Sequence, residues 1–383
     1  MRLSSSAAVG PAAALPSVAF LFLGETLLIP HLWPIAEALA QAAPDLAIHI
    51  WVATSAHERL LAPWAAAWPN MSLRRAPGFR DLPDLPPGAN PPLPPKLPML
   101  ARLAPLLRSS AVTVCAEQTS LWIPFLAPWL GLRFVKTSHG VGSMSARDDR
   151  RRRAATRMLV PSERERTTYL ARGFDPARVV ATGYVKASFR QRTSAAALFA
   201  TDRPILLYTP HWQRHRSSWW AWGREIVAFL AAQDRWNVIL APHQRLFEHD
   251  PEAAAVLEAV AHLPHMHCDR QSFAMVDGSY TAAADLYLGD SSSQVVEYLA
   301  RPRPCLFLNP QKIDWQATDD HDFWRCGDVV DRLSDLEDAL ATASNRHPIY
   351  AATQQSFAQS SLGDTSDQAP KNCAKTILSL AQR

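Results

Sequence analysis

The sequence predicts an α/β protein of two consecutive doubly wound halves facing a cleft. Short apolar runs alternate with amphipathic, helix-like stretches, the mark of a parallel sheet buried on both faces. The alternation pauses over residues 190–203 and restarts at 204. The residues richest in chemistry stand where apolar runs end, and open α/β sheets bind ligands beyond the carboxyl ends of their strands.

The elements follow in order. Residues 1–16, with Pro11 and Pro16, read as a disordered start, and 17–23 (SVAFLFL) as the first strand. A helix opens at His31-Leu32-Trp33-Pro34 and runs to Ala40, a strand covers 46–52, and 59–68 is helical. Residues 82–100 (LPDLPPGANPPLPPKLPML) are too proline-rich for a helix or a central strand and read as a stiff surface loop, or as a lid or membrane-facing loop over an acceptor site. Strands at 111–115 and 133–137 flank a helix reaching Leu130. Further strands at 158–160 and 179–182 flank a helix that Ser162 caps. The second half gives strands at 204–208, 236–241, 265–268, 285–288 and 304–308, with helices at 225–233, 251–262, 294–299 and 333–343. From 344 to 371 the chain is polar and poorly patterned, and 373–381 is a last helix. The predicted organisation is therefore a disordered N-terminus (1–16), two Rossmann-like domains (17–189 and 204–345) joined by a linker (190–203), and a tail with a terminal helix (346–383).

Composition narrows the function. The 383 residues are 48% hydrophobic and 19% charged, enough for two cores and unlike a disordered chain. A net charge of +4 without basic stripes argues against a nucleic-acid partner. Of its 39 basic residues 33 are arginine, a balance that GC-rich codon usage produces in bulk. Five dispersed cysteines, none in a CxxC pair, fit a reduced cytoplasmic compartment, and no apolar run is long enough to span a bilayer. There is no GxGxxG, P-loop or GxSxG motif. His262, His265, His267 and Cys268 match no zinc spacing, so no metal and no cofactor is expected.

Three constellations remain. Thr137-Ser138-His139-Gly140 places a histidine at a strand end before a flexible backbone, and Arg150, Arg151 and Arg152 follow as candidates for an anionic acceptor. Gly289-Asp290-Ser291-Ser292-Ser293 joins a strand to a helix, offering hydroxyls and amides to a phosphate, with Glu297 one turn or more further on. Thr209-Pro210-His211 and Ala241-Pro242-His243 end two strands of the second half and bring two histidines toward one crevice.

Together and in order, S-H-G (138–140), P-S-E (161–163), G-Y (183–184), Y-T-P-H-W (208–212), A-P-H (241–243), G-D-S-S-S (289–293) and R-P-C-L-F-L-N (303–309) resemble the CDP-glycerol glycerophosphotransferase family, the teichoic-acid-type polymerases and primases of GT-B architecture. The resemblance covers roughly residues 110–330. It implies metal-independent transfer from a nucleotide-diphosphate donor to a glycan or lipid-linked acceptor, with peripheral contact, through Arg and Trp of the first domain, at the inner face of the cytoplasmic membrane. It implies His139 as the base, His243 on the donor phosphates, and Asp290, Ser292 and Ser293 at the pyrophosphate. Thr209, His211, Ser291 and Glu297 join that donor site by position, and Gly140 the acceptor side. The family's R-P-H-P is here Ala241-Pro242-His243-Gln244, its P-T-W-R is Pro210-His211-Trp212-Gln213 with Arg214 one place late, and the Tyr of its D-Y-S-S is Ser291. A nucleotide-sugar donor therefore stays open. So do two alternatives on the same architecture, a nucleotide-sugar 2-epimerase and a non-catalytic protein of surface-polysaccharide assembly.

Overall fold

The computed structural model describes residues 17–85, 89–138, 140–141, 149–195, 198–317 and 319–382. The first sheet contains β1 (Ser17–Phe22), β2 (Ile48–Thr54), β3 (Met71–Arg80), β4 (Ser110–Cys115), β5 (Phe134–Thr137), β6 (Arg157–Val160) and β7 (Val179–Ala181) in the order β3-β2-β1-β4-β5-β6-β7. The second contains β8 (Ile205–Thr209), β9 (Asn237–Leu240), β10 (Met266–Cys268), β11 (Leu286–Gly289), β12 (Cys305–Leu308) and β13 (Asp328–Val330) in the order β10-β9-β8-β11-β12-β13. All the pairings are parallel. The predicted doubly wound α/β class is thus the observed one. Each sheet reverses strand order once, between β1 and β4 and between β8 and β11, and a ligand crevice forms at such a switch point.

The period-2 alternation of strands explains why both faces are covered. Val18, Phe20 and Phe22 enter one core, whereas Ala19, Leu21 and Leu23 enter another on the opposite face. In the second sheet Leu206, Tyr208, Leu286 and Leu288 face a core of their own. Leu207, Ile239, Tyr287 and Phe307 instead join the core of Val18 and Phe20, so one apolar body runs through both halves. Trp64, Phe189 and Phe273 meet at that junction, with ring centroids 5.7–6.0 Å apart.

Two strands escape the sequence reading, β3 and β13, because both lie at sheet edges where one side meets water and the apolar run is broken. Residues 82–100 are not wholly a loop. Lys96–Leu103 is a helix, with Pro98 in its first turn, where a missing N–H costs nothing. The helix expected at 333–343 does not stop there but runs on through most of the segment expected to be poorly patterned, as Leu336–Leu362, about 40 Å long at 1.5 Å per residue. Its first turns pack on the second sheet through Leu336, Leu340 and Ala343, and its last turns join the shared core through Ala358 and Leu362. One helix serving two surfaces shows no constant apolar stripe. Buried Gln354 hides it further: its Nε2 donates to the carbonyls of Arg303 (2.9 Å) and Cys326 (2.7 Å) in a polar core position.

Beyond Leu362 the chain returns to the first sheet. Gly363 (φ 62°) lets it pass Pro161, whose carbonyl would lie 2.4 Å from a Cβ, and Gly183 (φ 99°) receives Asp364 as closely. The helix Gln368–Ala381 then packs on Ile29–Ala42, and Arg133 Nη1 donates to the Leu380 carbonyl at 2.7 Å.

Candidate functional site

A cleft of about 610 Å³ lies at both switch points, lined from one side by the ends of β1, β4 and β5 and from the other by the ends of β8, β9 and β11. Topology gathers each set of loops at its own switch point, and the core shared by the two halves sets them facing each other.

On the second-domain wall, His211 follows β8 and His243 follows β9, their ring centroids 5.3 Å apart, and both line the cleft. The Nδ1 of His211 accepts the amide N–H of Gln213 at 3.1 Å, and the Nδ1 of His243 accepts that of Arg245 at 3.2 Å. An acceptor Nδ1 places the proton of a neutral imidazole on Nε2, so each ring presents a donor. Burial, then Arg216, pushes His211 down to about 2. Burial, then Arg245, pushes His243 down to about 4. Both rings are therefore neutral at pH 7 and act as hydrogen-bond donors rather than cations.

Ser291 and Ser292 line the same wall. The Ser292 hydroxyl caps the helix Ser293–Tyr298 by accepting the Gln294 amide at 3.2 Å. Six residues carry little macrodipole, so the helix end expected to bind phosphate is a weaker feature here than the two histidines. Arg216 supplies the guanidinium that the motif comparison looked for elsewhere. It lines the cleft and donates to the Ser291 carbonyl at 2.7 Å, while Arg214 stacks on Trp220 and Arg245 on Trp212.

Two residues expected at the phosphates do not line the cleft. Asp290 is buried and accepts the amides of His211 (2.9 Å) and Ser218 (3.0 Å). It ties the His211 loop to the β11 end, and burial lifts its carboxyl to about 7 against the pull of those amides. Thr209 is likewise buried, donating to the Tyr287 hydroxyl at 2.8 Å. Glu297 does line the cleft, but its carboxylate is taken. Lys186 Nζ lies 2.7 Å from it and the Tyr184 hydroxyl donates at 2.5 Å, both from the segment just after β7. This buried ion pair joins the two halves, with side chains 7% and 10% exposed.

The first-domain wall is charged. Glu25 follows β1 and Glu117 follows β4, at the two strand ends that flank the switch point. Lys96 Nζ holds Glu117 at 2.8 Å and donates to the Leu23 carbonyl at 2.5 Å. Burial raises Glu25 above the usual carboxylate range. Lys136, inside β5, is buried at the cleft floor, donates to the Thr137 carbonyl at 2.5 Å, and is pushed down to about 8 by burial and then by Arg152. The arginine run splits because a 3-10 turn, Arg150–Ala154, sends successive side chains about 120° apart. Arg152 enters the cleft and donates to the Gln118 amide oxygen (3.1 Å) and the Tyr169 hydroxyl. Arg151 turns to Asp149, and Arg150 is exposed.

His139 lies outside the described residues, between Ser138 and Gly140, which both line the cleft. The proline-rich segment also reaches it. Leu93 and Lys96 line the cleft, and Asn90 Nδ2 donates to Glu248 of the second half at 3.3 Å. Among the described residues no three His, Cys, Asp or Glu side chains gather as metal ligands. His265 and His267 instead bond the Leu230 carbonyl and the Tyr280 hydroxyl.

Sequence reasoning passed over Lys136, Lys186, Lys96 and Arg216. Lys136 had a signal: a lysine inside an apolar strand needs a reason to be buried.

No family model matches the chain, and no curated protein sequence does. Solved structures do. The wall teichoic acid polymerase TagF superimposes with TM-score 0.63 at 12% identity, covering 96% of this chain and 89% of that one. The chain has a GT-B-like fold. A UDP-N-acetylglucosamine 2-epimerase gives TM-score 0.61 at 13% identity over 96% of each chain. Anabaena HepE in complex with UDP and glucose gives 0.54 at 13% identity, over 95% of this chain and 100% of that one. These are likenesses of fold.

Proposed function

We propose that this GT-B-like chain is a transferase of cell-surface polysaccharide synthesis. It moves a polyol-phosphate or glycosyl group from a nucleotide-diphosphate donor to a hydroxyl of a glycan or lipid-linked acceptor. The observation that carries the reading is the pair of neutral, Nε2-protonated imidazoles, His211 and His243, held by backbone amides at two adjacent strand ends beside Arg216. They form a preorganised donor set for an anion, and the wall opposite carries titratable side chains for the acceptor.

In the proposed step the donor pyrophosphate takes hydrogen bonds from His211, His243 and Ser292. The acceptor hydroxyl enters from the side of Ser138 and Gly140. His139 takes its proton as the oxygen attacks the β-phosphorus; the P–O bond to the α-phosphate breaks, and the nucleoside monophosphate leaves with the bonding pair. With a nucleotide-sugar donor the attack falls on the anomeric carbon and the nucleoside diphosphate leaves.

A second reading has one observation in its favour. Glu25 and Glu117 stand in the cleft at the first switch point, where an epimerase needs carboxylic acids beside its sugar, and half-buried Glu25 holds its proton to higher pH than usual. Calorimetry with CMP, CDP, UMP and UDP, followed by incubation of the preferred nucleotide's sugar and polyol conjugates with and without acceptor, separates the two. A transferase turns over only with acceptor. Inversion of the sugar without acceptor establishes the epimerase, and no nucleotide binding overturns both.

A further inference from the structure

Among the described residues six large apolar side chains are exposed, and five fall within one stretch of the first domain: Leu97 (58%), Leu106 (48%), Phe125 (39%), Leu126 (54%) and Trp129 (79%). They sit on Lys96–Leu103, Leu106–Ser109, Trp122–Leu126 and Pro128–Leu130. The inner residues of these elements, among them Met99, Leu100, Leu103, Leu107 and Ile123, enter one core against the face of the sheet that bears Ala19 and Leu21. The helices Lys96–Leu103 and Trp122–Leu126 also touch each other. Their outer side chains therefore share one side of the domain, and clustered exposed apolar groups mark an interaction surface.

Its charge says what kind. Between residues 97 and 133 the chain has Arg102, Arg108 and Arg133 but a single carboxylate, Glu117, which is buried against Lys96. Arg102 and Arg108 are exposed. So is Arg150, on a turn packed against Trp122–Leu126, where Arg151 stacks over Trp122 at 4.9 Å. Exposed aromatic and aliphatic groups accompanied by exposed arginines, in a stretch (97–133) without an exposed acid, complement a negatively charged lipid surface.

We propose that this face docks the protein on an anionic bilayer. Leu97, Phe125, Leu126 and Trp129 enter the boundary between headgroups and acyl chains, and Arg102, Arg108 and Arg150 meet lipid phosphates. Lys96, Gln118 and Thr119, on or beside the same elements, line the cleft, so a lipid-linked acceptor has a short path into it. That last consequence rests on the transferase reading; the docking does not.

The test is co-sedimentation of the full chain with vesicles of phosphatidylcholine alone and of phosphatidylcholine mixed with phosphatidylglycerol. The wild type is expected to pellet with the mixed vesicles and to be released by salt. Leu126→Ser with Trp129→Ser is expected to weaken binding about tenfold or more, since the area lost exceeds ~1.4 kcal/mol. Arg102→Gln with Arg108→Gln weakens it about fivefold per arginine. Ile349→Ser, the sixth exposed side chain, binds as wild type. Thermal melting followed by circular dichroism checks that each variant folds. Three results overturn the proposal: a wild type that stays in the supernatant with both vesicles, patch variants that pellet like wild type, or a patch that instead holds two copies together, seen as self-association lost in the variants without vesicle binding. Transfer to a water-soluble acceptor is scored apart: vesicle binding without any transfer sinks the transferase reading alone, and transfer without vesicle binding sinks the docking alone.

Discussion

The two walls of the cleft are built by the same topology and carry different chemistry. Each is a set of loops at the carboxyl ends of parallel strands, gathered where the strand order reverses. The second-domain wall presents neutral donors, His211, His243 and Ser292, with one arginine behind them. The first-domain wall presents Glu25, Glu117, Lys96, Lys136 and Arg152, partly paired with one another. A wall of fixed neutral donors grips a pyrophosphate without changing its own protonation. A wall on which burial raises Glu25 and lowers Lys136 is suited to moving a proton. The contrast supports a division of labour, binding on one side and chemistry on the other, and each part of it can be broken.

The largest effect is expected from the chemical side. His139→Ala should lower transfer by about 10²–10⁴ at saturating donor, the range for removing a general base, with donor affinity unchanged. Undiminished turnover across CDP- and UDP-linked donors removes His139 from the mechanism. Next in size is the bridge between the walls. Glu297→Gln leaves Lys186 buried and unpaired and should cost about 3–5 kcal/mol in urea unfolding, whereas Lys186→Met with Glu297→Met should cost far less. Should Glu297→Gln instead keep full stability and lose donor affinity, Glu297 is a donor ligand, as its sequence position first suggested. On the binding side, His211→Ala or His243→Ala should each weaken nucleoside-diphosphate binding by about 1.5–3 kcal/mol, read by calorimetry, with turnover at saturating donor less affected. Equal loss of kcat from either would dissolve the division between walls.

The smallest effect is a pH dependence of stability. Burial holds His57, which is bonded to the Gly24 carbonyl behind the cleft-lining loop after β1, down to about 4, as it holds His211 to about 2 and His243 to about 4, all below the ordinary value near 6.5. Below pH 6.5 the unfolded chain binds protons that the folded chain refuses, so stability falls as the pH drops toward 4. Asp290, raised to about 7, has the opposite sign: it stabilises at low pH and loses that contribution as pH rises through 7. The two partly cancel in the wild type. His243→Gln should therefore flatten the acid slope by about 1 kcal/mol per pH unit in unfolding measured at pH 5 and 6, and an unchanged slope would show that His243 is protonated in the folded state.

Much of this was legible in the sequence. Buried parallel strands announce themselves as apolar runs, and most of the strands were found by them; only edge strands β3 and β13, half in water, were not. His211, His243, Ser291 and Ser292 were found by the rule that ligands gather at strand ends, and all four line the cleft. The same rule did not reveal that Asp290 and Thr209 turn away from the cleft, because a strand-end position does not fix which way a side chain points. It split the arginine run no better, since only the 3-10 turn decides that Arg152 points inward.

What the sequence determined by itself is local: the alternation of strand and helix, the two-sheet class and the residue types at the ends of strands, all set by short-range periodicity and backbone preference. What only the tertiary structure decided is which distant groups meet. Lys186 finds Glu297 across 111 residues, Lys96 seals Glu117, and the helices Leu336–Leu362 and Gln368–Ala381 carry the chain's end back to the sheet where it began. Those pairings depend on the packing of whole layers, and a buried charge, unlike an apolar run, carries no mark in the sequence of the partner that neutralises it.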